Sequence, residues 1–215
     1  VLKGRNRIMN KIISISREFG SGGRELGKRL ADLLQYDYYD SEIISAVAKK
    51  SGLYANYVEN TLSNHGWKNQ AITFRGTLAS PTYVQSSKIA LLLDQKKIIE
   101  SIAGLGKDCI IVGRNADIIL RDYNPFNIFV CASCEAKLRR CKERASDDEK
   151  LSDKELLRKM KHIDSVRAQT REIMSDSAWG ERDAYHITVN TTEWEIKELV
   201  PAVADFAARW FRRNK

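Results

Sequence analysis

An α/β fold built on a parallel sheet is predicted by the alternation of strand-like and helix-like segments. The strand-like runs occupy residues 12–16, 36–39, 109–112, 127–131 and 185–189. Three of them are nearly continuous in apolar residues, which is typical of strands covered on both faces. Helix-like segments occupy residues 24–34, 88–102, 135–144, 153–174 and 194–212. Strands that alternate with helices predict a parallel sheet with right-handed crossovers.

Two polar stretches interrupt this alternation. Residues 41–87 begin as a helix and become rich in Asn, Gly, Ser and Thr, which indicates an insertion between the second and third strands. Residues 146–150 are almost all charged and predict a mobile loop between two helices. A chain of 215 residues is long enough for one α/β domain that carries such an insertion.

The composition is that of a soluble globular protein, with 43% hydrophobic and 30% charged residues. No apolar run approaches the roughly 20 residues needed to cross a bilayer, so we expect no membrane partner. The net charge of +8 indicates either a solvated basic surface or a polyanionic ligand. A nucleotide fits this charge better than a nucleic acid, because the chain lacks the aromatic and basic stripe of single-strand binders.

The four cysteines do not suggest a disulfide framework, so we expect a reducing, cytoplasmic location. Cys131 and Cys134 have the spacing of half a zinc site or of a redox pair. No second such pair follows, and no histidine lies at ligand spacing. A structural role for these thiols is therefore the favoured interpretation.

A glycine cluster, Gly20-Ser21-Gly22-Gly23, lies between the first strand and the first helix. Strand, glycine turn and helix form the context in which a phosphate-binding loop is credible. Glycines allow consecutive N–H groups to face one concavity, and the helix N-terminus adds positive potential there.

This loop departs from the usual pattern G-x-x-x-x-G-K-[ST]. Gly23 stands where the pattern has lysine, and Arg24 and Glu25 follow where a hydroxyl residue is expected. The lysine that reaches the phosphates and the hydroxyl that binds magnesium are therefore both missing from their usual places.

Further candidate residues follow the second and third strands. Asp40 and Ser41 come after the second strand, where open α/β sheets bind ligands, although either could simply cap the next helix. Arg114 and Asn115 come after the third strand, and an arginine there can bind a phosphate with two hydrogen bonds. A surface arginine at a helix start is the alternative.

Two helices add basic residues. The helix over 135–144 carries Arg139 and Arg140, whose simplest interpretation is a solvated face with i,i+4 ion pairs. On the next helix, Arg167 and Arg171 are four residues apart and so share a face. Two such guanidinium groups repel one another unless an anion lies between them, and either Asp164 or a transferring phosphate could be that anion.

The chain resembles the cytidylate kinase-like family, relatives of bacterial cytidylate kinases within the nucleoside monophosphate kinases. The run from Ile13 to Glu25 is similar to the opening signature of that family, in which the substituted loop is itself typical. Asp40-Ser41 resembles an Asp-Ser/Thr-Gly segment of the acceptor site. Gly113-Arg114-Asn115 resembles a Gly-Arg-Asp motif, with Asn115 replacing the acid. Asp164-Ser165-Val166-Arg167 resembles Asp-Ser-x-Arg. The order and spacing of these motifs are more specific than any one of them.

This resemblance implies a P-loop NTPase-like three-layer sandwich with a five-stranded parallel sheet. The implied single domain has a core of residues 10–40, 101–145 and 166–215, an acceptor-binding insertion over 41–100 and a lid over 146–165. The implied activity is phosphoryl transfer from ATP to a pyrimidine nucleotide, CMP first among them. Mg²⁺ is an expected cofactor, with no protein ligand apparent in the sequence.

The resemblance also implies roles for the candidate residues. We expect the ATP-binding group to be Gly20, Ser21, Gly22, Gly23, Arg24, Glu25, Arg139 and Arg140. We expect the acceptor-binding group to be Asp40, Ser41, Arg114, Asn115 and Asp164. The catalytic group is expected to be Arg24, which would replace the missing lysine, with Arg167 and Arg171. The alternative is a protein of the same fold that binds a nucleotide or another anion without transferring phosphate.

Overall fold

A computed structural model of the chain describes residues 10–40, 81–145 and 151–213, and for residues 81–91 it describes the backbone only. Within these ranges the strands are Ile12–Arg17 (β1), Asp37–Tyr39 (β2), Cys109–Val112 (β3), Phe126–Cys131 (β4) and Ile187–Asn190 (β5). The helices are Gly23–Leu34 (α1), Pro81–Gly104 (α2), Ala116–Ile119 (α3), Cys134–Arg144 (α4), Asp153–Met174 (α5) and Ile196–Arg213 (α6). Two short 3₁₀ helices, Arg121–Tyr123 and Arg182–Ala184, complete the described elements.

The five described strands form one parallel sheet in the order β2-β3-β1-β4-β5. This confirms the predicted fold class. Strand β1 lies at the centre, between β3 and β4, and the chain leaves it toward β2 on one side and returns to β4 on the other. Such a reversal opens a crevice at the carboxyl ends of the strands. The glycine loop, Gly113 and Asp40 all follow strands at this edge.

Each face of the sheet is covered by helices because successive strand residues point to opposite faces. On one face, Ile13 and Ile15 pack with the buried residues of α1 and α6. On the other face, Ile12 and Ile111 pack with buried residues of α2 and α3. A third, smaller cluster joins α4 to α5 through Cys141, Leu156 and Met160, and Phe19 of the glycine loop packs against it. Both sides of the loop are therefore anchored to buried structure.

The predicted domain division concerns segments that the structure describes only in part. Residues 41–80 and 146–150 lie outside the described residues, so the predicted insertion and lid stay predictions there. Helix α2 is continuous through residue 100, and α5 is continuous through residue 165. The expected end of the insertion at residue 100 and the expected end of the lid at residue 165 therefore fall inside helices. None of the described helices is both long enough and apolar enough to cross a membrane.

Candidate functional site

The glycine loop presents backbone donors at the start of α1. Gly20 and Gly22 have φ angles of 78° and 84°, a left-handed conformation that favours glycine. In the described part of the chain, the N–H groups of Gly20, Gly22 and Gly23 donate to no protein acceptor. The N-terminus of a 12-residue helix adds positive potential at the same place. The loop can therefore accept an anion.

Contacts from β4, α4 and the segment after β5 hold the rest of the loop in place. Glu18 donates its N–H to the carbonyl of Val130 at 2.9 Å, and its carboxylate pairs with Lys137 at 2.8 Å. Arg140 donates to the carbonyl oxygens of Gly20, at 2.9 Å, and Thr191, at 3.1 Å. Its guanidinium thus links the glycine loop to the segment after β5. Arg139, the other expected ATP-binding residue of α4, is exposed.

Arg24 points toward the acceptor side of the crevice. Its Nε lies 2.8 Å from Oδ2 of Asp40, which is buried at the end of β2. The hydroxyl of Tyr38 lies 3.4 Å from the same carboxylate. The geometry therefore favours Arg24 as a partner of Asp40 rather than as a substitute for the missing lysine. Ser41, expected beside Asp40, lies outside the described residues.

The Asp164-x-x-Arg167 segment of α5 is fastened to the glycine loop. Asp164 Oδ1 accepts from the N–H of Phe19 and from Arg167 Nη1, both at 2.9 Å. Arg167 Nη1 also donates to the carbonyl of Arg17 at 3.0 Å. Burial raises the pKa of Asp164 despite these two donors. The structure thus brings Asp164 and Arg167 to the carboxyl end of β1, although Arg167 is 150 residues away along the chain from Arg17.

Arg17 is the functional candidate that sequence reasoning missed. Its side chain runs beside Gly23 and ends against Gly113, where an added Cβ would overlap Arg17 Nη1. Its pKa is lowered to about 9, by burial first and then by the nearby charges of Arg167 and Arg114. Within the described residues its guanidinium has no hydrogen-bond or ion-pair partner. A charged residue at the end of an otherwise uncharged buried strand was the available signal.

The segment after β3 has an uncommon backbone. Gly113, Arg114 and Asn115 have φ angles of 81°, 60° and 51° in succession. Positive φ is costly for residues with a side chain and is concentrated at binding and catalytic sites. Asn115 is buried, and its Nδ2 donates to Sδ of Met174 at the end of α5. This hydrogen bond holds the Asn115 side chain against α5 rather than in the crevice.

Arg171 is held by protein partners, and the geometry does not support its expected contact with a transferring phosphate. Only 2% of its surface is exposed. Nη1 lies 2.6 Å from Asp117, Nε donates to the Ser177 carbonyl at 3.0 Å, and Nη2 donates to the Ser177 hydroxyl at 2.8 Å. These contacts fix α5 against α3 and the segment that follows α5.

Comparisons with known proteins show the family and the fold of the chain. The model of the cytidylate kinase-like family matches residues 12–193, which is most of the chain. The chain belongs to the cytidylate kinase-like family. A search of curated protein sequences finds no match.

Solved structures show the same fold. The chain is similar to an uncharacterized protein from Eubacterium ventriosum, with 23% identity, a TM-score of 0.67 and coverage of 93% of this chain and 99% of that one. A shikimate kinase from Acinetobacter baumannii gives 13% identity, a TM-score of 0.50 and coverages of 94% and 95%. The protein TT1252 from Thermus thermophilus gives 15% identity, a TM-score of 0.51 and coverages of 93% and 97%. The fold is thus that of the nucleoside monophosphate and shikimate kinases.

Protein ligands for the expected Mg²⁺ are not apparent among the described residues. No group of three or more His, Cys, Asp or Glu side chains there is placed to hold a metal ion. The Ser21 hydroxyl is buried and donates to the Glu18 carbonyl at 2.8 Å. Glu25 pairs with Arg29 and Arg144. Burial alone would raise the pKa of Glu25, but the hydrogen bonds and charges of these two arginines outweigh burial and hold the pKa below its usual value. Neither residue therefore fits the part of the missing hydroxyl.

The cysteine pair also shows no ligand geometry within the described chain. Cys131 ends β4 and Cys134 begins α4, and both are free thiols. Burial raises the pKa of the Cys131 thiol, which disfavours the thiolate that metal binding requires. These observations support the structural interpretation of the pair.

Proposed function

We propose that this protein transfers the terminal phosphoryl group of ATP to a pyrimidine nucleoside monophosphate, with CMP as the acceptor. One observation carries the proposal. The glycine loop, Asp40, Arg114 and the Asp164–Arg167 pair all lie at the carboxyl ends of β1, β2 and β3, in the crevice of a P-loop kinase fold. Membership of the cytidylate kinase-like family supports the same activity.

Phosphoryl transfer requires positioning and charge neutralisation more than covalent help from the protein. The N–H groups of Gly20, Gly22 and Gly23 would bind phosphates of the donor. Arg114 would bind the acceptor phosphate, and Arg167 would lie between donor and acceptor. Asp40, already paired with Arg24, would orient the acceptor from the β2 side.

Magnesium would neutralise charge on the phosphates, as it does in kinases generally. Because the described residues do not fit as its ligands, we assign no step to the ion. Magnesium can be held largely by substrate phosphates and water.

A second candidate function is nucleotide or anion binding without transfer. The loop lacks both the lysine and the hydroxyl of the usual pattern, which favours this alternative. Product formation distinguishes the two functions, because only the kinase converts CMP and ATP into CDP and ADP.

The test is a coupled transfer assay with ATP, magnesium and each nucleoside monophosphate, alongside binding of CMP and ATP by calorimetry. We expect CDP formation by the wild-type protein. Arg114→Lys should weaken CMP binding by about tenfold, because one of two charge-assisted hydrogen bonds is lost. Its affinity for ATP should be nearly unchanged.

The matched control is Arg121→Lys, since that side chain is 82% exposed. It should leave both affinities unchanged. Binding of ATP without CDP formation would establish the non-catalytic function. Absence of pyrimidine monophosphate binding at millimolar concentration would exclude CMP as the acceptor.

A further inference from the structure

The charge that the usual phosphate-binding loop carries has moved to a different position in this chain. In the pattern G-x-x-x-x-G-K-[ST], the lysine reaches the β and γ phosphates. With Gly22 as the second glycine of the pattern, Gly23 falls on the lysine and Arg17 falls on the first glycine. Glycine and cation have thus exchanged places at the two ends of one loop.

The structure gives this exchange a steric reason. A Cβ built on Gly23 would lie 2.6 Å from Cβ of Arg17 and 3.0 Å from its Cγ. The first distance is shorter than real Cβ contacts and the second is tighter than most of them, so side chains at positions 23 and 17 would overlap unless the backbone shifted. The Arg17 side chain therefore passes through the space in which the lysine side chain would begin.

The far end of the Arg17 side chain meets two other cations. Its guanidinium lies against Gly113, directly before Arg114, and its own carbonyl accepts from Arg167. The neighbouring carboxylates are engaged by other donors, since Asp40 pairs with Arg24 and Asp164 with Arg167. The Arg17 guanidinium is repelled by both neighbouring charges, and an anion bound beside it would relieve that repulsion. Tetrahedral phosphate oxygens match the forked donors of a guanidinium.

We propose that Arg17 replaces the lysine of the phosphate-binding loop and, with Arg167, binds the terminal phosphate of a triphosphate. The proposal rests on the proposed function only for the identity of that ligand as a nucleotide. The charge of Arg17, its steric conflict with a side chain at position 23 and its contact with Arg167 are independent of the acceptor.

The experiment measures binding of inorganic tripolyphosphate by calorimetry and melting temperature by calorimetric scanning, using the full chain. Arg17→Gly should bind tripolyphosphate about 10- to 100-fold more weakly than wild type, the effect of losing hydrogen bonds to a charged group. Arg17→Met keeps the packing of the side-chain stem and should lose the same affinity. The control Arg209→Gln removes one charge from a side chain that is 71% exposed, and it should change the affinity less than about twofold.

A compensating pair makes the test specific. Gly23→Lys alone should lower the melting temperature by about 4–8 °C, because it overpacks against Arg17. Arg17→Gly combined with Gly23→Lys should recover most of that loss and most of the affinity, since the usual arrangement is restored. Val130 Cβ, 3.3 Å from the position of the added Cβ, would have to yield slightly in both variants.

The outcomes separate this proposal from the proposed function. Weaker binding by both Arg17 variants together with recovery in the double variant supports it, even if the wild type forms no CDP. Unchanged affinity in Arg17→Met, or a double variant no more stable than Gly23→Lys, would overturn it. Absence of tripolyphosphate binding by the wild type would also overturn it.

Discussion

Two arginines one turn apart on α5 meet opposite surroundings. Arg171 is almost fully buried, and Asp117 and Ser177 accept from all three of its guanidinium nitrogens. Arg167 has one carboxylate partner, Asp164, and its other described acceptor is the carbonyl of Arg17. Beside Arg167 lie two further arginines, whereas Arg171 lies over the ring of Tyr185.

This difference teaches how to separate a structural arginine from a ligand-binding one. A guanidinium that is buried with a carboxylate and neutral acceptors is already compensated. The Arg17 guanidinium has no such carboxylate partner among the described residues, and burial together with neighbouring positive charge lowers its pKa. The second kind of arrangement is stabilised by an anionic ligand.

The largest effect should come from breaking the compensated pair. Arg171→Met leaves Asp117 buried without its cation and should lower the free energy of unfolding by about 3–5 kcal/mol. Denaturant unfolding measures this loss. The affinity of the remaining folded protein for triphosphate should stay close to that of the wild type.

Replacing both partners tests the reason for that loss. Arg171→Met with Asp117→Leu removes the unpaired charge and should recover a large part of the stability. If the double variant were as unstable as the single one, the pair would owe its importance to shape rather than to charge.

The matching change at the other arginine should show the reverse pattern. Arg167→Met should weaken triphosphate binding by about 1.5–3 kcal/mol, the contribution of a hydrogen bond to a charged group. Its free energy of unfolding should fall by less than that of Arg171→Met, because the Arg167 side chain is 24% exposed and Asp164 keeps the N–H of Phe19 as a donor. A stability loss as large as that of Arg171→Met would remove the contrast between the two positions.

A stabilising change should follow from relieving the arginine cluster. Arg17→Met removes one of three mutually repelling charges and should raise the stability of the ligand-free protein by about 1 kcal/mol, or about 2–4 °C in melting temperature. Thermal unfolding with and without tripolyphosphate measures both the stability of the ligand-free protein and the stabilisation by the ligand. Addition of the ligand should stabilise the wild type and have little effect on the variant.

The smallest effect concerns pH. Burial raises the pKa of Asp164 above its ordinary value of 3.8, so just above that pH the folded state keeps a proton that the unfolded state has lost. The unfolded state then binds fewer protons, and stability falls as pH rises through this window. Asp164→Asn should remove this part of the pH dependence. A difference of the opposite sign between the two proteins would contradict the raised pKa.

The sequence predicted the sheet and the helices because apolar runs and helical periodicity are local signals. Helix α5 begins and ends at the predicted residues, with a capping box at Ser152 and Glu155 to start it. The glycine loop and Asp164 were likewise predicted from short sequence motifs. The fold class therefore follows from the sequence alone.

The charges of the site could not be assigned in the same way. The role of Arg171 depends on Asp117, which is 54 residues away along the chain. The direction of Arg24 depends on where the end of β2 places Asp40. The position of the Arg17 side chain depends on the space left by Gly23 and Gly113. Each of these is a tertiary contact that no short motif encodes.

The central claim is that Arg17 takes over the task of the missing lysine, and a crystal structure with a non-hydrolysable ATP analogue tests it most directly. We predict a guanidinium nitrogen of Arg17 at about 2.7–3.2 Å from an oxygen of the terminal phosphate, a hydrogen-bond distance. Arg24 should remain on Asp40. A terminal phosphate bound by Arg24, with Arg17 turned away from it, would contradict the account.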